Sequence, residues 1–133
     1  MASRCIKFYK DVSILEMKKA IKWCQKELNL RDWGISFEIG EENPEWSTRK
    51  EMTGMACCRA WRNEFFACIW VNPNRQKECN TYPVSSICHE MIHILFFAYK
   101  MHNHDEQIVS TLATSLFKNW VNQQKRNKRK KND

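Results

Sequence analysis

Val84-Ser85-Ser86-Ile87-Cys88-His89-Glu90-Met91-Ile92-His93-Ile94-Leu95-Phe96-Phe97-Ala98-Tyr99-Lys100, wound as a helix, is apolar on almost every side. A helix that is hydrophobic all round is a buried helix, so this stretch predicts the element around which the chain packs. Near its middle stand His89, Glu90 and His93. Histidines four residues apart share one helix face, where two imidazoles can bind a single metal ion. Glu90, one position on, can reach a water on that metal without becoming a ligand. Neutral imidazoles leave a zinc ion Lewis-acidic, and the ion lowers the pKa of its water towards neutrality. A carboxylate beside it can then take the proton and return it to a leaving amine. The competing reading makes the two histidines hydrogen-bonded core residues and Glu90 a solvated one. Three polar groups in a buried apolar helix are costly unless paired, which favours the metal.

The chain after this helix must supply a third ligand. His102, His104, Asp105 and Glu106 all follow within reach. Met101 to His104 reads as a short polar break. Asp105 opens a last helix whose stripe is Ile108, Val109, Leu112, Ala113, Leu116, Phe117 and Trp120. The helical wheel does not choose between Asp105 and Glu106, but Asp105 has a competing role as helix N-cap. A turn at Met101–His104 would fold Glu106 back towards the buried helix. Glu106 is therefore the favoured third ligand, with His102 and His104 as alternatives whose simpler reading is an exposed turn.

Before the buried helix, Ser13-x-x-Glu16 is a capping box, followed at helical spacing by Ile14, Met17, Ala20, Ile21, Cys24 and Leu28. A first helix to about Leu30 follows from it. Trp33, Ile35, Phe37 and Ile39 alternate as in a half-buried strand, and Glu41 to Lys50 reads as a loop. Met52 to Trp61 and Phe65 to Val71 predict two more strands joined around Arg62-Asn63-Glu64. Asn72-Pro73-Asn74 ends the last strand, because proline cannot donate to a ladder. Residues 74–83 read as a loop. The expected fold class is α+β in the order α-β-β-β-α-α, with a three-stranded, mainly antiparallel sheet. Residues 1–124 form one domain on this reading.

Composition narrows the rest. Six Trp and seven Phe within 43% hydrophobic residues describe a globular chain. No apolar run is long enough to span a bilayer and no secretory signal follows Met1, so a cytoplasmic protein is expected. Seven cysteines, an odd number without regular spacing or a Cys-x-x-Cys pair, predict reduced thiols rather than disulfides or a thiolate zinc site. The net charge of +7 is concentrated in residues 125–133, which hold six basic residues and one acidic one. This stretch reads as a solvated, disordered tail, and weak nucleic-acid contact is its sharper alternative.

Ile87-Cys88-His89-Glu90-Met91-Ile92-His93-Ile94-Leu95, followed by Asp105-Glu106-Gln107-Ile108-Val109, resembles the short gluzincin-type metallopeptidases, including the ImmA/IrrE-type proteins and related small phage-borne proteins. The match covers about residues 85–117. It implies a minimal zincin-like fold, in which a small sheet packs on the HExxH helix and a glutamate of the next helix completes the site. It also implies a zinc peptidase with His89, His93 and Glu106 as ligands, Glu90 as general base, and a protein or peptide as substrate. Phe96 and Tyr99 stand where a metzincin has glycine and its third histidine. The alternatives are a zinc-stabilised regulatory or interaction protein that cuts nothing, and a SprT-like nucleic-acid-associated protease using His102 or His104. On the peptidase reading, strand Phe65–Val71 is a sheet edge that binds an extended substrate by strand addition. Tyr82 and Tyr99 are oxyanion candidates whose default role is packing.

Overall fold

The computed structural model describes residues 11–47 and 54–132. The N-terminal residues read for a secretory signal, and the expected strand start at Met52, lie outside them. Helix α1 (Ile14–Glu27) starts where the capping box predicts: Ser13 Oγ accepts from the Glu16 N–H at 3.1 Å. It buries Met17, Ala20, Ile21 and Cys24 of the positions that recur at helical spacing, while Leu28 is partly buried and Ile14 is exposed. Asn29 ends it in the left-handed region (φ 58°), and Leu30 N–H returns to the Gln25 carbonyl at 2.7 Å, closing a Schellman turn. The Gln25 amide also donates to the Leu30 and Trp33 carbonyls, holding the entry to β1 (Gly34–Ile39).

β2 (Ala56–Trp61) and β3 (Phe66–Val71) form an antiparallel hairpin through a 3-10 turn at Arg62–Glu64. β1 pairs with the other side of β3, in parallel, with Gly34 opposite Phe66 and Ile39 opposite Val71. The sheet order is thus β1-β3-β2. This corrects two expectations. The sheet is mixed rather than mainly antiparallel, and the Phe65–Val71 strand is its centre rather than an edge. Alternation reports which face of a strand is buried, not which strand lies beside it. The unbroken run of buried residues Ala67, Cys68, Ile69, Trp70 and Val71 belongs to a strand covered on both faces.

The segment after β3, expected as a loop, instead begins with a short helix, α2 (Pro73–Glu78). Asn72 Oδ1 caps the Arg75 N–H at 3.2 Å and Pro73 occupies the first helical position, where its missing N–H costs nothing. The proline that ends the strand therefore also starts a helix. α3 (Pro83–Ala98) is the buried helix of the sequence reading and packs against α1, β2, β3 and the last helix, α4 (Glu106–Asn132). Ile87, Cys88, Met91 and Ile94 are fully buried in it. Among the described residues, no helix is long and apolar enough to cross a membrane.

α4 buries Val109, Ala113, Leu116, Phe117 and Trp120, a narrower stripe than predicted, with Ile108 and Leu112 left exposed at its side. Trp120 meets Trp23 of α1 edge-on at 5.6 Å, and Phe117 packs on Tyr82 at 5.5 Å. α4 runs on to Asn132, through the basic stretch read from sequence as a solvated tail. Lys, Arg and Gln are good helix formers, neither Gly nor Pro intervenes, and extending an established helix adds one hydrogen bond per residue. Among the described residues the architecture is α+β, four α-helices with a three-stranded mixed sheet.

Candidate metal centre

The site is built by the turn between α3 and α4. α3 ends in a second Schellman arrangement, with Lys100 left-handed (φ 60°), Lys100 N–H bonded to the Phe97 carbonyl and Met101 N–H to the Phe96 carbonyl at 2.9 Å. The chain reverses here, and Asp105 starts the next helix. Its Oδ1 accepts from the Gln107 and Ile108 N–H groups at 2.9 and 3.1 Å, the N-cap role assigned from sequence. With Asp105 so engaged, Glu106 is the residue in the first turn of α4 that faces back across α3.

The Glu106 carboxylate bridges the two α3 histidines. Oε2 lies 3.2 Å from His89 Nε2 and Oε1 lies 3.1 Å from His93 Nε2. One ligand atom from each of the three residues falls within 4.8 Å of the others. Ligands at roughly 2.0–2.1 Å from a tetrahedral metal stand about 3.3 Å apart, close to both histidine–glutamate separations, so these groups could hold a small cation between them. The histidine rings meet edge to face, with centroids 5.0 Å apart. His93 is the more enclosed, its side chain 14% exposed against 28% for His89, whereas Glu106 is 60% exposed. The turn and the Asp105 cap bring it here.

Glu90 is buried on α3 and lines the same cleft of about 520 Å³ as the three candidate ligands. The opposite wall is β2, through Ala56, Cys57 and Cys58, together with Ser47. The sheet edge bordering the cleft is thus β2, and not the β3 strand that the sequence reading put there. Tyr82 is half-buried against Phe117 and Tyr99 is exposed, and neither lines the cleft. Burial and then the nearby Glu16 carboxylate raise the Tyr82 hydroxyl above its ordinary value.

Neither alternative third ligand joins the cluster. His102 is exposed. His104 stands behind His93, with the two Nδ1 atoms 2.8 Å apart. It is half-buried against Phe96 and Phe97, so the reading of His104 as an exposed turn residue is corrected. No sequence spacing announces this contact, because the left-handed turn at Lys100 decides where the segment points.

No protein-family model matches the chain, and no curated protein or solved structure is significantly similar to it. The site must therefore be read from its own chemistry. Two imidazoles and a carboxylate form a donor set suited to zinc and other divalent first-row metals. Three such residues, if they held a tetrahedral metal, would leave a fourth position for water or another ligand.

Proposed function

We propose that the chain is a zinc-dependent metallopeptidase of minimal zincin-like form, with His89, His93 and Glu106 as the zinc ligands and Glu90 as general base. The observation that carries this reading is the convergence of three ligand atoms within 4.8 Å, in a cleft that also holds the buried Glu90. Zinc bound there would supply a Lewis acid that polarises a carbonyl and acidifies water. Glu90 takes the proton of the attacking water and delivers it to the departing amine, which a carboxylate one residue from a ligand can do from the helix itself. β2 bounds the cleft as an edge strand, so an extended peptide can be held along it by main-chain hydrogen bonds, with its scissile carbonyl towards the histidines. A site serving stability alone would need neither the buried carboxylate nor the open cleft.

The test is a paired measurement on purified protein. Wild type should contain about one zinc per chain and cleave members of an unstructured peptide library. Glu90→Gln should keep the zinc and lose about 10²- to 10⁴-fold in cleavage rate, because an amide cannot accept the proton. Wild-type cleavage by the Glu90→Gln protein would remove the general-base role, and a wild type that takes up no zinc would remove the metal site.

A further inference from the structure

Behind His93 runs a chain of hydrogen-bonding groups that the proposed reaction does not use. His93 Nδ1 lies 2.8 Å from His104 Nδ1, and His104 Nε2 lies 2.8 Å from the Met101 carbonyl oxygen. The two rings are nearly parallel, at 16°, with centroids 5.1 Å apart. The difference between 5.1 and 2.8 Å is taken up by the two ring radii, so both nitrogens sit close to the line of centres. This is an in-plane hydrogen bond and not a face-to-face stack. Phe96 and Phe97 pack on His104 at 5.4 and 4.5 Å, and the N–H of Met101 is tied to the Phe96 carbonyl. Ring and carbonyl are both held.

From this geometry we infer that His104 is a positioning residue: it holds His93 as the Nδ1–H tautomer and leaves the Nε2 lone pair pointing at Glu106 and the metal. The inference rests on the metal site proposed above and extends it.

The direction of the chain follows from its last member. A carbonyl oxygen can only accept, so His104 Nε2 must carry a hydrogen. A neutral imidazole carries one, and His104 Nδ1 is therefore an acceptor. The hydrogen between the rings then belongs to His93 Nδ1. Neutral His93 has no hydrogen left for Nε2, whose lone pair faces Glu106 Oε1 at 3.1 Å. Two acceptors at that distance repel unless a metal cation, or a proton on His93 Nε2, lies between them. The reverse order fails, because it would set the bare Nε2 of His104 against the Met101 carbonyl at 2.8 Å. An outer hydrogen bond that fixes the tautomer and ring orientation of a ligating histidine commonly changes metal affinity by about 10- to 100-fold.

Zinc affinity, measured on the full chain by chelator competition, tests this with His104→Leu, His104→Asn and His102→Ala. His104→Leu keeps the bulk and removes the acceptor, and should weaken zinc binding by about 10- to 100-fold. His104→Asn should recover most of that loss, since its amide oxygen can accept from His93 while its N–H₂ donates to Met101. His102→Ala should bind as wild type does. On the zinc-loaded protein, ¹⁵N NMR should show a coupling across the hydrogen bond between His93 Nδ1 and His104 Nδ1, with the proton covalently on His93. Zinc bound by wild type and His104→Leu with equal affinity would overturn the positioning role alone, as would a proton residing on His104 Nδ1. A wild type that binds no zinc would instead overturn the metal site on which it rests.

Discussion

Cys88 and His89 are consecutive residues of α3, yet they occupy different kinds of protein interior. One step along a helix turns the side chain by about 100°. That step takes Cys88 into a dry contact with α1, fully buried, its thiol 4.0 Å from that of Cys24. It takes His89 into the cleft, 28% exposed and facing the Glu106 carboxylate. The hydrogen bond with Cys24, and then burial, hold the Cys88 thiol well above its ordinary value of 9.0, so on this face the neutral form is kept. On the other face the groups are polar, partly wet and placed where they could hold a cation. One helix thus separates packing from chemistry by orientation alone, and the two faces should respond to substitution independently.

The sharpest way to break that comparison is to cut each face once. Met91→Ala removes a fully buried side chain and should cost about 2–5 kcal/mol in urea denaturation, whether or not zinc is added. His89→Ala should weaken zinc binding by about a hundredfold or more, one ligand's share of a typical zinc-binding free energy. Its stability in excess chelator should differ from wild type by much less than that of Met91→Ala. Equal losses under chelator would show that His89 belongs to the packing.

A smaller effect is expected where the two faces join. Asp105→Ala removes two hydrogen bonds at the start of α4 and should cost about 1 kcal/mol, read as a lowered melting temperature. The smallest effect concerns pH. Because the folded-state pKa of Cys88 is raised, the native state holds more protons than the unfolded chain above about pH 9, and stability falls as pH rises through that range. Denaturation at about pH 8 and about pH 10 should show this alkaline loss in wild type and a shallower one in Cys88→Ala. An unchanged slope would mean that the thiol does not titrate as its surroundings imply.

Much of the local structure could be read from spacing. Ser13 and Asp105 are caps because a side-chain oxygen a few residues ahead of a helical N–H satisfies it locally. The left-handed positions are less visible: Asn29 and Asn80 are residue types that tolerate that conformation, but Lys100 is not, and Lys100 ends the helix that carries His89 and His93. The Asn72-Pro73 pair was read for what proline stops and not for what it starts. The exposed Ile108 and Leu112 show the same limit, since periodicity marks apolar positions without measuring the width of the surface that covers them.

By itself the sequence determined the buried helix, the shared face of His89 and His93, the place of Glu90 beside them, and the α+β class. Each of these follows from periodicity within a few residues, where geometry is set by the helix or strand itself. Only the tertiary structure decided that β3 is central with β1 parallel to it, that β2 borders the cleft, that Glu106 rather than His102 or His104 meets both histidines, and that His104 stands behind His93. Those facts depend on which segments lie side by side and on how one turn at Lys100 redirects the chain. They are contacts between elements, set by the packing of the whole core, and residue spacing along the chain does not encode them.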